Sequence, residues 1–138
     1  MLVCVDASVA VKWLVAEPGS EHALGLLEQW RGVAQLWAPD LLYVECANAV
    51  RRKVVLGVIA QDDVEPMIER LLRFDIEPLP GRELVEDATR IALEVGVTVW
   101  DACYVAVARR VGAELWTADR ELYSKAQRIH AAVHLLVP

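Results

Sequence analysis

Short apolar runs alternate along the chain with longer stretches of amphipathic spacing. Leu2 to Val5 is an apolar run that ends at Asp6, the pattern of a buried strand. Ser8 then caps a helix to about Ala16, closed by Pro18-Gly19. Ser20 to Arg31 predicts a second helix with Leu24, Leu27 and Trp30 on one side, and Gln35 to Ala38 reads as a strand. Pro39-Asp40 opens a long helix to about Leu56, where Gly57 stops it. A further helix runs from Asp62 or Asp63 to Phe74, which Pro66 permits only from the first turn. Ile76 to Leu79 is a strand, followed by a helix from Arg82 to Val95 that Gly96 ends. Asp101 caps a helix ending at Gly112, and Glu114 to Thr117 is a strand stopping just before Asp119. A short helix around Glu121 to Arg128 and a last strand at Val133 to Val137 complete the chain.

Strands separated by helices predict an α/β sandwich: a central, mainly parallel sheet of about five strands with helices on its faces. Such sheets carry their sites beyond the carboxyl ends of the strands. Asp6 and Asp119 both fall at ends of that kind. The 138 residues, without repeats or linker-like tracts, predict one domain over 1–138.

Composition narrows the class. With 56% hydrophobic and 25% charged residues, the chain can build a core without disulfides. Its three cysteines, Cys4, Cys46 and Cys103, lie in apolar runs and read as buried free thiols of a reducing compartment. The N-terminus lacks the basic start and long apolar stretch of a secretory leader, and no run reaches the roughly 20 apolar residues of a membrane span. The expectation is a cytoplasmic protein. A net charge of −6 argues against an extended basic nucleic-acid surface. A bound divalent cation can nevertheless reverse the electrostatics of a local site.

Four of the 20 acidic residues interrupt apolar sequence. Asp6 follows Leu-Val-Cys-Val, and Glu45 sits mid-helix in Leu-Leu-Tyr-Val-Glu-Cys-Ala-Asn-Ala-Val. Asp101 divides Val-Thr-Val-Trp from Ala-Cys-Tyr-Val-Ala, and Asp119 follows Leu-Trp-Thr-Ala. Burying an unpaired carboxylate costs several kcal/mol, so each needs a cation, hydrogen-bond donors or a metal. Few bases lie in the same stretches. Hard oxygen ligands suit Mg²⁺ or Mn²⁺, and the absence of paired His and Cys argues against zinc. Each acid also has a structural alternative: helix caps for Asp101 and Asp119, a turn for Asp6, an ion pair with Arg52 for Glu45. Glu45, Asn48 and Arg52 share one helical stripe, as Ser8 and Lys12 do. Lys12 and Arg52 are candidates to meet phosphate, although solvated Lys and Arg are commoner, and the Arg51-Arg52-Lys53 run reads as solvated helix surface with phosphate steering as a secondary reading. Trp100 and Trp116 are candidates to border a cleft, and His22, His130 and His134 receive no catalytic task.

Taken together, Val-Cys-Val-Asp6-Ala-Ser8, Tyr43-Val-Glu45-Cys-Ala-Asn48, Trp100-Asp101-Ala-Cys-Tyr104 and Leu-Trp-Thr117-Ala-Asp119 resemble a PIN-domain nuclease, specifically the VapC-type toxins of toxin–antitoxin pairs. The resemblance covers essentially the whole chain. It implies a PIN-like fold and endonucleolytic cleavage of RNA dependent on Mg²⁺ or Mn²⁺. Asp6, Glu45, Asp101 and Asp119 would be the catalytic, metal-binding quartet, with Ser8, Thr117 and Asn48 in support. It further implies a homodimer and a cognate VapB-type antitoxin. A fifth acid common in such families is missing at Leu122, leaving Glu121 as its nearest candidate. Three other readings remain: an RNA-processing nuclease without a toxin role, a catalytically inactive binding module, and a phosphoryl-transfer or receiver domain. Against the last, Ser8 stands where a phosphatase carries a second Asp, and no lysine follows a late strand.

Overall fold

Val3, Cys4 and Val5 are fully buried, so the first strand, β1 (Leu2–Val5), lies at the centre of the sheet. The computed structural model describes residues 1–138. The other strands are β2 (Gln35–Pro39), β3 (Ile76–Leu79), β4 (Glu114–Thr117) and β5 (Val133–Leu135). They form one sheet in the order β3-β2-β1-β4-β5, with every pairing parallel. Cys4 pairs with Trp37 on one side and Leu115 on the other. The expected fold class and strand number are what the structure has.

Seven α-helices connect and cover the strands. They are α1 (Ala7–Leu14), α2 (Ser20–Trp30), α3 (Leu41–Val55), α4 (Val64–Arg73), α5 (Gly81–Val95), α6 (Val99–Val111) and α7 (Arg120–Ala126). Helix α6 packs on β1, β2 and β4 with α5 across it, while α1 packs with α2, α3 and α4. Residues Ala102 to Ala108 of α6 are all buried, which explains why its sequence lacks an amphipathic period. No single helix is long and apolar enough to cross a membrane. All three cysteines are buried and free.

Several local expectations change. The buried face of α2 is Ala23, Leu26 and Trp30, and Leu24 is exposed. Trp30 is buried as expected and Leu27 packs against the core, so the correction is confined to Leu24, whose place on the buried face Ala23 takes at the spacing i, i+3, i+7. Asp6, not Ser8, stands at the N-cap position of α1, and Ser8 lies inside the first turn. Thr98 caps α6 by accepting from the Asp101 N–H, which moves Asp101 from the cap into the first turn. Pro66 does lie in the first turn of α4, and Gly96 does end α5, in the left-handed conformation at φ 77°.

The chain runs from β1 outward to β2 and β3, then returns to β4 on the other flank of β1. The carboxyl ends of β1 and β4 therefore flank the point where the strand order reverses. In open parallel sheets, that is where a crevice forms.

Candidate active site

The end of β1 delivers Asp6 and the end of β4 delivers Thr117 and, after Ala118, Asp119. Glu45 enters from one turn into α3, and Asp101 from the first turn of α6. These four acids line one cleft of about 880 Å³ together with Ser8, Asn48 and Trp100. Residues far apart in sequence thus converge because four elements end around the same crevice.

Asp6 is only 5% exposed, and its carboxylate is held by hydroxyls. Ser8 Oγ donates to Asp6 Oδ2 at 2.7 Å, and Thr117 Oγ1 donates to the same oxygen at 2.8 Å. Both hydroxyls also accept from the β4–α7 turn: Ser8 from Ala118 N–H at 2.9 Å, Thr117 from Asp119 N–H at 3.0 Å. This network bolts the two strand ends together and fixes Asp6 in one orientation. The supporting roles expected for Ser8 and Thr117 have a concrete geometry here.

The other acids follow a related pattern. Tyr104 Oη donates to Glu45 Oε2 at 3.2 Å. Asp119 Oδ1 accepts from the backbone N–H groups of Glu121 and Leu122, at 2.9 and 3.2 Å, and so caps α7. The capping alternative for Asp119 is therefore real, and it leaves Oδ2 uncommitted. Asp6, Glu45 and Asp119 each have one oxygen engaged by protein donors and one without a protein partner.

No lysine or arginine neutralises this group. Burial raises Asp6 to about 6 despite its hydroxyl bonds, with Asp101 and Asp119 adding repulsion. Burial likewise raises Glu45 to about 7, with Asp6 and Asp101 repelling it and Tyr104 opposing the rise. Asp101 is raised by burial first and by Asp119 and Glu121 after it, against a lowering from Thr98. The ion pair between Glu45 and Arg52 that the helical stripe allowed does not form. The two lysines that line the cleft pair with another of its residues: Lys12 and Lys53 both bind Glu17, at 3.0 and 2.8 Å.

A hard divalent cation fits the chemistry of this donor set, since four carboxylates without a countercharge repel until one arrives. No three side chains stand in the geometry to hold one ion directly as arranged. The fit is thus to an ion that keeps much of its water and takes one or two carboxylates, as Mg²⁺ commonly does.

Asn48 lines the cleft, is exposed and makes no side-chain hydrogen bond to the four acids. Glu121 is exposed, pairs with Lys125 at 2.6 Å and stands outside the cleft lining. Trp100 borders the cleft and is 60% exposed. Trp116 does not: it stacks on His134 with centroids 4.8 Å apart and meets Trp30 edge-on. Lys53 is not solvated surface, because Glu17 holds it half-buried. Sequence reasoning gave no role to Tyr104, although its spacing of three from Asp101 put both on one stripe of α6.

The PIN domain family profile matches residues 3–128. Over 127 residues the chain is 35% identical to Ribonuclease VapC3 of Pyrobaculum aerophilum, covering 91% of this chain and 95% of that relative. Among solved structures, VapC20 of Mycobacterium tuberculosis, a sarcin-ricin loop cleaving toxin, matches with a TM-score of 0.71 at 15% identity over 99% of each chain. VapBC2 from Rickettsia felis, bound to a DNA fragment from its promoter, matches with a TM-score of 0.71 at 13% identity over 98% of each chain. The two structural likenesses speak to the fold. The profile and the 35% identical relative go further, since both span about nine-tenths of the sequence. The chain belongs to the PIN domain family.

Proposed function

We propose that the chain is a Mg²⁺- or Mn²⁺-dependent endoribonuclease that hydrolyses RNA phosphodiester bonds, the toxin of a VapBC-type pair. One observation carries the reading: Asp6, Glu45, Asp101 and Asp119 line a single cleft, and no protein cation lies among them. The 35% identity to a protein named as a ribonuclease supports the substrate class.

Asp6, Glu45 and Asp101 would hold the ion, one or two of them directly and the remainder through its bound water, with Asp119 completing the set directly or through water. When bound, the ion would lower the pKa of a water, polarise the phosphoryl oxygen and steady the leaving oxygen. Ser8 and Thr117 keep Asp6 Oδ2 occupied, so its other oxygen faces its task without a competing rotamer. Tyr104 does the same for Glu45. Both acids must be ionised to hold a cation, so binding releases whatever protons burial has kept on them. Trp100, exposed beside Asp101, offers an aromatic face at the cleft mouth on which a base can stack.

For partners, we propose a VapB-type antitoxin and a homodimer, in a cytoplasmic setting. The antitoxin reading draws on solved neighbours that are toxin–antitoxin complexes. It also draws on the exposed Val44 and Leu56 in the cleft wall and Val55 and Val58 near by, an apolar edge a partner could cover.

The direct test is cleavage of a mixed-sequence RNA with and without Mg²⁺, comparing the parent with Asp6→Asn and Asp101→Asn. Cleavage should need the metal and fall at least a hundredfold in either variant. Undiminished cleavage in both would remove the acidic cleft from the reaction.

A further inference from the structure

The cleft has a second charged zone, at the wall formed by the end of α1, the turn after it, and α3. There Glu17 accepts from two ammonium groups: Lys12 Nζ at Oε1, 3.0 Å, and Lys53 Nζ at Oε2, 2.8 Å. All three side chains are largely buried, at 14%, 23% and 18% exposed for Lys12, Lys53 and Glu17. Arg52 stands beside them in the cleft lining and makes no ion pair. One carboxylate thus meets two cations, and with Arg52 in the same lining this zone of the cleft carries a net positive charge.

Lys12 does not depend on Glu17 for its place. Its Nζ also donates to the Pro18 carbonyl at 2.8 Å. Its stem lies under Gly19, whose φ of +93° brings the turn so close that a Cβ there would touch Lys12 Cδ and Cε at 3.4 Å. The backbone of the turn is fixed in turn by Ser20 Oγ, which accepts from Glu17 N–H at 2.9 Å and donates to the Val15 carbonyl at 2.8 Å. The Glu17 side chain, by contrast, has no polar partner other than the two ammoniums. A carboxylate bridging two ammoniums through its two oxygens occupies the arrangement that the two non-bridging oxygens of a phosphodiester would take. None of the charges that shift Asp6, Glu45 and Asp101 comes from this cluster, so the two zones are electrostatically distinct.

We propose that Lys12, Lys53 and Arg52 form a metal-independent subsite for a backbone phosphate of the bound strand, and that Glu17 masks it until that phosphate displaces the carboxylate. The subsite rests on the nuclease reading of the cleft and adds to it a grip on a phosphate other than the one cleaved. The mask lets the wall keep two lysines folded inward without attracting anions indiscriminately. It also makes strand binding weaker than the wall alone would allow.

The test reads binding without cleavage: fluorescence anisotropy of a fluorescein-labelled mixed-sequence 12-mer RNA with EDTA present, across a salt series. Glu17→Gln keeps the size of the side chain and removes its charge. It should tighten binding about fivefold or more and steepen the salt dependence, because each phosphate contact contributes about 0.7 to the slope on single strands. Lys53→Gln, which leaves Glu17 its contact with Lys12, should weaken binding several-fold and flatten that slope. Should Glu17→Gln fail to fold by circular dichroism, Lys53→Gln decides alone. Binding by Glu17→Gln equal to or weaker than the parent's, or no change in Lys53→Gln, overturns the proposal. So does a Glu17→Gln gain for a poly-glutamate peptide with RNA unchanged, which would assign the wall to an acidic protein partner. If instead the parent neither binds this RNA nor cleaves it with Mg²⁺, the nuclease reading itself has failed.

Discussion

Asp6 and Glu17 line the same cleft, and their carboxylates are pushed in opposite directions. Burial penalises charge on both. At Asp6 the only compensation comes from two neutral hydroxyls, and neighbouring acids add to the penalty, so its carboxyl rises to about 6. At Glu17 burial also raises, but hydrogen bonds and charge from Lys53 and Lys12 outweigh it and leave the carboxyl below its ordinary value. Glu17 has its countercharges supplied by the chain. The floor around Asp6 is held by hydroxyls with the countercharge left out, the arrangement on which the proposed cation site rests.

The sharpest way to break this contrast is to remove a floor carboxylate. Asp6→Asn keeps the shape and its hydroxyl partners while losing the charge, and RNA cleavage with Mg²⁺ should drop by at least a hundredfold. Folding should survive, because Asn relieves repulsion in the metal-free protein. A melt showing an equal or raised Tm beside lost cleavage would separate the floor's chemical role from a structural one.

The second prediction concerns pH. Asp6 and Glu45 have folded values raised to about 6 and about 7. The folded state therefore binds protons more tightly than the unfolded chain, whose carboxyls titrate near 4. That contribution is fully present below the unfolded value and is lost as pH rises through the folded ones. In EDTA, stability should accordingly fall from about pH 4 to about pH 7 and level off above that, with Asp6 contributing on the order of 3 kcal/mol. Mg²⁺ should restore it most at pH 8 and least at pH 5, and calorimetric titration should show proton release on metal addition near pH 6.5. A melting temperature in EDTA that is flat or rises over this range would contradict the uncompensated floor.

Much of this contrast was legible in the sequence, for identifiable reasons. Asp6, Glu45, Asp101 and Asp119 stood out because carboxylates inside apolar runs need an explanation, and the strand ends gave two of them a common address. The stops at Gly57, Gly96 and Gly112 were readable because glycine after an amphipathic helix carries a local meaning. Glu17 and Lys53 were not readable. The contact joins a turn to a distant helix, and nothing within either segment marks it; an Arg-Arg-Lys run looks the same solvated or paired. On α2 Trp30 and Leu27 were readable, but Leu24 was taken for Ala23 because it outweighs alanine on any hydrophobicity count, while packing prefers the small residue. Thr98 was missed because Asp101, a better-known cap, lay three residues away.

Thr117→Val would sharpen the comparison at the level of the hydroxyl bolt. Valine keeps the volume but removes a donor to Asp6 and an acceptor for the Asp119 N–H. Loss of the buried bonds should cost about 1 to 3 kcal/mol in stability. Cleavage should fall about tenfold at saturating Mg²⁺, and metal affinity should weaken, since Asp6 then rotates against Ser8 alone. Unchanged metal affinity would mean that Asp6 does not need Thr117 to hold its orientation.

The smallest expected effect belongs to Tyr104→Phe, and it is informative because its sign depends on pH. Tyr104 Oη donates to Glu45 Oε2, and that bond works against the burial and repulsion that raise Glu45. Removing the hydroxyl takes the opposing influence away, so Glu45 should hold its proton to higher pH than before. If an ionised Glu45 is needed to take the cation, cleavage by the variant should lag the parent a few-fold near pH 6.5. Above pH 8.5 Glu45 is ionised in both proteins, and the two rates should converge. The ring stays in the core, where Tyr104 is wholly buried, so stability should change by only about 1 kcal/mol. A deficit that is the same at every pH would mean that Tyr104 supports packing alone. Convergence at high pH would place it as the residue that keeps Glu45 charged, doing at the floor, with a neutral donor, what two lysines do for Glu17.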